Sequence, residues 1–487
     1  MKKNGLLKSI AICFIVAVVL SWFIPTGIFN GTTFQAGETL PVGIINLFRV
    51  PVLTFQTFIQ YTIFLVTLGL FYGVVNKTES YSGIVEGIAK RWKGKEKAFL
   101  IIVTIIFALL SAVSGNLILL FALAPFIGAV LLKMNFNNVT ALLGTVGAIL
   151  VGETASIIGF NGYGYIVNIF HVTMKDEIIT RIILFAILTG LYVFYINIKT
   201  KKEVTSVKEV KEEKKTKGRK TTKEEVVEQP KKVEIPFYED KKGTKSKWPL
   251  IIVSVLLFII CLISMYNWYY AFGIETFNNL FNTIDGVKMG DYPLMHNILN
   301  GLSSFGFWST YELSVALFIG SIIIAWIYNI KVSDYIEAAK KGMKEMLPIA
   351  FIATLANIVF TVMILNQTDY LTTIINFINK GKTAFNLPLL TLSSIIGSLC
   401  YNDLYYYIAD LSGVALNYEA VYYPIAGIVM NAIHGIVMMI LPTSLFLVAG
   451  LKLFNVSLKE WAKTIWAYLV EAFVVVMIIS IVVIIML

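Results

Sequence analysis

A charged tract, Lys199 to Lys247, separates two long apolar halves and constrains the chain more than any other feature. It holds 17 Lys/Arg and 10 Asp/Glu, which is +7 of the formal +10 carried by all 487 residues. The chain as a whole is 57% apolar and only 14% charged, with mean hydropathy +0.76. That balance excludes a water-soluble globule and calls for a bilayer as solvent. Because the positive charge is concentrated in one tract that cannot cross lipid, it does not point to nucleic acid. The fold class expected is an all-α polytopic membrane protein. Its parts are a first membrane repeat over 1–198, a cytoplasmic charged linker over 199–247 and a second membrane repeat over 248–487.

Full spans are expected at 8–27, 57–76, 138–170, 178–198, 248–269, 312–330, 346–366, 418–446 and 462–486. Each is near the length a bilayer demands. The apolar start is followed by no small-residue cleavage site, so it reads as a retained first helix. Two stretches fit poorly. Residues 97–133 are interrupted by Ser111, Ser114, Gly115 and Asn116, and residues 386–415 by Ser393, Ser394, Gly397, Ser398, Asn402 and Asp403. Both read as re-entrant helical hairpins with polar tips, since non-helical backbone at membrane depth needs protein or a water-filled cavity around it. Lys2, Lys3, Lys8, the Lys90–Lys97 cluster, Lys133, the linker, Lys331–Lys344 and Lys452–Lys463 all then fall on the cytoplasmic side. That agrees with the excess of Lys and Arg in cytoplasmic loops; Lys380 and Lys382 dissent. The C-terminus comes out external. The first hairpin is entered from the cytoplasm and the second from outside, so the second half is the first turned over. Inverted repeats with broken midplane elements mark secondary transporters.

The residues that could bind a solute lie at the tips and at two breaks. The first break follows the first hairpin, where Gly152, Glu153, Thr154, Ser156 and Asn161 stand among glycines. Glycines and hydroxyls let a helix unwind and free its carbonyls as ligands, and a carboxylate at that depth needs a cavity or a cation. The second break contains Pro442, Thr443 and Ser444, with His434 upstream. Pro442 removes a backbone donor, and the two hydroxyls can satisfy the groups set free. His434 reads equally as a packing group or a proton site. The candidate binding residues are Ser114, Gly115, Asn116, Gly152, Glu153, Thr154, Ser156, Asn161, Ser398, Asn402, Asp403, His434, Pro442, Thr443 and Ser444. Asp403 and Asp410 are spaced to share one face of a helix, with Asp410 better placed at an outer interface. A close-packed helix face is the plainer reading of the small residues. Arg181, Glu312 and Glu471 lie near span ends and read as interfacial. The linker, rich in Lys and Glu, reads as a solvated tether.

At these residues the chain resembles the YfcC-like group of the ion transporter superfamily, a group labelled as C4-dicarboxylate or basic amino acid carriers. The matching stretches are Ser21-Trp22-Phe23-Ile24-Pro25-Thr26-Gly27, the glycine-spaced run Gly144–Asn161, and Pro442-Thr443-Ser444-Leu445 through Gly450 to Trp461. The resemblance implies an elevator-type carrier whose transport domain consists of two hairpins and two broken helices. The tip residues Ser114-Gly115-Asn116 and Leu399–Asp403 depart from the pattern of that group, so the fold carries over further than the substrate.

The function expected is secondary active transport of a small organic solute, such as an amino acid or a dicarboxylate, by symport or exchange in a bacterial cytoplasmic membrane. A polytopic membrane enzyme and a channel are the alternatives. No cofactor is expected beyond a coupling ion, H⁺ or Na⁺, with Na⁺ placed near Glu153 or Asp403. Three Cys and three His, all scattered, give no disulfide framework and no metal-ligand spacing. The partners are a small-molecule substrate and the lipid bilayer, without nucleic acid; a homodimer is left open. No Arg or Lys stands near either break, so a dicarboxylate would have to be held by hydroxyls and helix N-termini, while the acidic groups suit a cationic or zwitterionic solute.

Overall fold

The computed structural model describes residues 5–200, 235–241, 245–365, 369–380 and 384–487. The expectations on Lys2, Lys3, Lys382 and most of the linker lie outside the described residues.

Apolar on all sides, α1 (Gly5–Leu20) stops short of the expected 8–27 span, because the turn at Ser21–Pro25 ends it. A small antiparallel hairpin follows, β1 (Gly27–Asn30) with β2 (Thr33–Ala36), closed by Gly31 at φ +62°. Next come α2 (Asn46–Thr57), α3 (Ile59–Lys77) and the amphipathic α4 (Ser80–Arg91). The first helical hairpin consists of α5 (Glu96–Ser114) going up, then α6 (Leu117–Phe121) and α7 (Ala124–Lys133) coming back. α8 (Asn138–Leu142), a π turn over Leu143–Gly147 and α9 (Ala148–Thr154) form one rod; the chain then leaves helical geometry until α10 (Tyr163–Phe170), and α11 (Ile178–Lys199) closes the half.

The second half starts with α12 (Trp248–Ser264) and then three short helices, α13 (Trp268–Phe272), α14 (Thr276–Asp285) and α15 (Leu294–Leu299). α16 (Thr310–Ile327), α17 (Val332–Leu355), α18 (Ile358–Ile364) and α19 (Leu371–Asn379) lead to the second hairpin, α20 (Leu387–Cys400) with α21 (Leu404–Ala415). An interrupted helix, α22 (Tyr423–Met438) and α23 (Leu445–Leu453), precedes the 29-residue α24 (Leu458–Met486).

Among the described residues seven helices are long and apolar enough to cross a membrane. Nine full spans were expected. Gly5–Leu20 and Trp248–Ser264 are shorter than the expectation, and 138–170 is divided by its break. Conversely, α5 has 19 residues, about 28 Å at the helical rise, so the first arm of hairpin one is itself long enough to cross. Asn116 donates to the carbonyl of Met265, at the end of α12 remote from the linker (3.2 Å).

Two groups of helices pack around separate seams. In one, α3 lies against α17 with backbones touching: a Cβ on Gly342 would stand 2.0 Å from the Gly69 carbonyl oxygen, and one on Gly73 2.2 Å from that of Ala338. Small residues allow this approach where apolar surfaces alone give no drive to associate. α16 and α12 flank that pair. In the other, α9 crosses both α5 and α22, and α20 lies on α22.

The linker expectation needs correction at its described end. Phe237 is buried, packed 6.1 Å from the Tyr72 ring, and its carbonyl accepts from Asn76 (2.6 Å). Lys133, the last residue of α7, pairs with Asp240 at 3.2 Å and with Glu86 at 3.4 Å, and stands over Tyr238. Glu239 pairs with Lys241 (2.6 Å) and Lys341, which hold its carboxyl below the usual range. An aromatic pair within the Ile235–Lys241 segment outweighs its charge, and the segment is a clasp joining α3, α4, α7 and α17.

Candidate functional site

The first tip is made by a residue type and a backbone shape together. Gly115 sits at φ +67°, and a Cβ there would meet the Asn161 backbone nitrogen at 2.9 Å. Glycine is required on both counts. Ser114 is spent locally, donating to Leu110 and accepting from the Asn116 N–H. Asn116 accepts from the Asn161 amide (3.3 Å), and Asn161 accepts from the Tyr165 hydroxyl (3.1 Å). Tyr165 in turn lies edge-on to Tyr405 of the second hairpin, centroids 5.4 Å apart.

The first break is held from two sides. The Ala112 carbonyl of α5 accepts from three successive N–H groups, Ile157, Ile158 and Gly159, at 2.8 to 3.2 Å. Arg181, expected at an interface, is instead 1% exposed. Its guanidinium donates to the carbonyls of Ile157, Met174 and Asp176 and covers the Tyr163 ring at 3.6 Å. A cation therefore does reach the break, but Nη1 and Nη2 donate to backbone carbonyls while Nε is buried without a partner, so it fixes the unwound chain. Ser156 accepts from the Tyr163 N–H (3.4 Å). Gly152 is a packing position, since a Cβ would lie 2.1 Å from the Ala108 oxygen, and Thr154 packs in the same way on Gly435.

Glu153 is half-buried, and among the described residues its side chain has no hydrogen bond or ion pair. It lies within electrostatic reach of Asp403. Its backbone carbonyl, and that of Thr154, accept from Asn431, whose own Oδ1 is buried without a partner.

The second tip is tied down by amides. Asn402 donates to Asn357 Oδ1 (2.8 Å) and to the Thr443 carbonyl of the second break (2.7 Å). Asn357, between α17 and α18, is one polar residue in an apolar run and carries no local sequence signal. Asp403 is the N-cap of α21, accepting from the Tyr405 N–H (2.9 Å). With φ −110° and ψ 124° it precedes the helix, so the seven-residue spacing does not place Asp410 beside it. Asp410 instead faces Asp369 and Tyr401. His434 sits at the hairpin–helix seam, 3.2 Å from Ser398 and stacked on Tyr407. At the second break Pro442 ends the rod, and Thr443 contributes its carbonyl. Among the described residues neither its hydroxyl nor that of Ser444 is hydrogen-bonded. Carbonyls freed in the two rods are taken by buried side chains of the closing helices: Tyr192 bonds Leu143 (2.9 Å) and Trp461 bonds Met439 (2.7 Å).

Next to the first tip lies a cavity of about 350 Å³ lined by Gln60, Asn116, Asn161, Asn267 and Trp308 among others. Its roof is the α12–α16 connection, and Tyr266 from that segment donates to the Ile158 carbonyl (2.7 Å). Among the described residues no Asp, Glu, Lys or Arg lines it. The arrangement suits a small solute with several acceptors, with amides and aromatic side chains among the lining.

A family model described as DcuC, C4-dicarboxylate anaerobic carrier, matches residues 5–402. No curated protein matches the chain. Two solved structures align along 98% of it: the YdaH transporter of Alcanivorax borkumensis, at 14% identity over 98% of that chain, and MtrF of Neisseria gonorrhoeae, at 12% identity over 94%. Both have a TM-score of 0.39.

Proposed function

The chain belongs to the C4-dicarboxylate anaerobic carrier family and is a membrane transporter rather than an enzyme, and on that premise we propose that it is a secondary carrier of a C4-dicarboxylate. The observation that carries this reading is the convergence of both tips on both breaks, Asn116 on Asn161 and Asn402 on Thr443, beside an amide-lined cavity. Amides hold carboxylate oxygens without supplying charge, so a dianion entering beside Glu153 and Asp403 must bring protons or cations with it. Cotransport is then built into the site: the solute binds well only when coupling ions neutralise it. A zwitterionic solute is a second reading, favoured by the same two carboxyls, which would receive an ammonium group.

The inverted pairing of hairpin with interrupted helix supports an elevator movement, in which hairpins and rods shift as one body against α3, α16 and α17. The basic loops support a cytoplasmic linker in a bacterial inner membrane. The stretches Ser21–Gly27 and Gly144–Asn161 support a place in the YfcC-like group. The test is uptake of labelled succinate into proteoliposomes under imposed H⁺ or Na⁺ gradients, with arginine and glutamate as competitors. Saturable, gradient-driven succinate uptake is expected. Flux that does not saturate would make the protein a channel, and competition by amino acids alone would transfer the site to the zwitterionic reading.

A further inference from the structure

We propose that Asp369, Asp410 and Tyr401 form a proton-binding site, distinct from the amide-lined cavity, at the seam between the second hairpin and the N-terminal segment. The two carboxyls come from opposite sides of that seam. Asp369 stands on the N-terminal side: its backbone carbonyl accepts from the Gly27 N–H (3.4 Å), Thr372 donates to the Gly27 carbonyl, and Tyr370 donates to the Ala17 carbonyl (3.2 Å). Asp410 and Tyr401 belong to the second hairpin, on which the Phe29 ring of β1 also rests, at Gly413.

Asp369 already has two donors, the Leu371 N–H at 2.9 Å and the Tyr401 hydroxyl at 3.0 Å. The carboxyl of Asp410 lies within electrostatic reach of it, and Tyr401 stands next to both. Ionised carboxylates are acceptors only, so two of them side by side with one hydroxyl donor gain from holding one proton. A separate observation points the same way. Asp410 Oδ2 is fully buried and has no hydrogen-bond partner, so an ionised Asp410 would leave a charged oxygen unsolvated. Among the described residues no Lys, Arg or His lies within ion-pair distance of either carboxyl. The titratable groups that face the pair are Tyr401 and Cys400 of the hairpin and Tyr370 before α19. β1 contributes none, and His434 on α22 is turned to Ser398 and Tyr407.

With its proton, the pair closes the seam; without it, two like charges face each other in an apolar setting and push the hairpin off. Resting on the carrier reading, this gives the coupling proton a place on the second hairpin, apart from the solute cavity beside the first tip. The test uses the full-length protein in lipid nanodiscs and infrared difference spectra between acid and alkaline buffer. A protonated-carboxyl carbonyl band, shifted in D₂O, is expected in the wild type. It should vanish in Asp369→Asn and in Asp410→Asn, persist in Asp403→Asn, and move without vanishing in Tyr401→Phe, a milder change that keeps both carboxyls. A band that survives in both Asp369→Asn and Asp410→Asn overturns the proposal. So does a wild-type band abolished by NaCl at constant pH, which would make the ligand Na⁺. In proteoliposomes, Asp410→Asn should keep exchange between equal succinate pools while losing, by at least tenfold, the acceleration given by an inward proton gradient. Wild-type protein that shows the band yet carries no succinate would overturn the substrate reading and leave the proton site standing.

Discussion

The first hairpin turns at Ser114–Asn116 without an ionisable side chain, whereas the second turns at Tyr401–Asp403 and carries Asp403 and Asp410. The first is closed by backbone. Gly115 allows the tip to lie on Gly159–Asn161, and one carbonyl, that of Ala112, gathers three N–H groups of the break. The second is closed by side chains: Asn402 reaches two separate elements, and its tip residues have ordinary extended backbone. Backbone closure tolerates little change of shape but is indifferent to charge. Side-chain closure tolerates changes of backbone but answers to protons and cations. On the carrier reading proposed above, the first tip would shape the solute cavity and the second would sense the coupling ion.

The strongest way to break this comparison is Gly115→Val. It places a β-branched residue at positive φ against the Asn161 backbone, a cost of about 2–4 kcal/mol from strain and overlap. Succinate uptake should be lost and thermal stability in nanodiscs clearly lowered. A variant with normal uptake would show that the first tip is not shape-limited. Glu153→Gln tests the charge side. It keeps shape and hydrogen bonding, so folding should be unaffected, while the loss of one charge-assisted contact weakens solute or ion binding by about 1.5–3 kcal/mol, roughly 10- to 150-fold in apparent KM. An unchanged KM with unchanged pH and Na⁺ dependence would reduce Glu153 to a packing residue.

Next in size is Asn402→Ala, which strands Asn357 Oδ1 and the Thr443 carbonyl and should cost about 1–3 kcal/mol in thermal unfolding. Asn116→Ala, whose two bonds are longer at 3.2 and 3.3 Å, should cost less; the reverse order would refute the division between the two closures. The smallest effect belongs to the clasp. Glu239 is held below the usual carboxylate range in the folded state by Lys241 and Lys341. Its contribution is therefore full above the ordinary carboxylate pKa and fades as pH falls through the lowered value. Hydrogen exchange of the Ile235–Lys241 amides should rise over that acidic window, and Glu239→Gln should remove the pH dependence; an equal rise in the variant would assign it elsewhere.

Much of this was legible in the sequence. Small polar residues inside apolar runs marked both tips and both breaks, because lipid leaves few other reasons to place Ser114-Gly115-Asn116 or Asn402-Asp403 at that depth. The groups that complete them were not. Asn357 is a single amide in an apolar run, and it matters only because Asn402, 45 residues away, finds it. Arg181 sits near a helix end, where snorkelling is the ordinary expectation, and only the folded-back Ile157 carbonyl shows why it is buried. Asn431 acts on carbonyls 278 and 277 residues away. No local period encodes such pairs. The place of the β1–β2 hairpin shows only in the fold, where Phe29 of β1 rests on Gly413 of the second hairpin.

The clasp at Ile235–Lys241 has a consequence for how the molecule could be assembled from pieces. The C-terminal half carries the segment that grips the N-terminal half, through Phe237, Asp240 and Lys241 on one side and Glu239 with Lys341 on the other. Recognition between the halves therefore does not depend on peptide continuity. Two separately translated polypeptides, 1–215 and 216–487, should find one another in the same bilayer and restore uptake, and a second piece beginning at residue 242, which keeps the α3–α17 seam but lacks the clasp, should restore it less well.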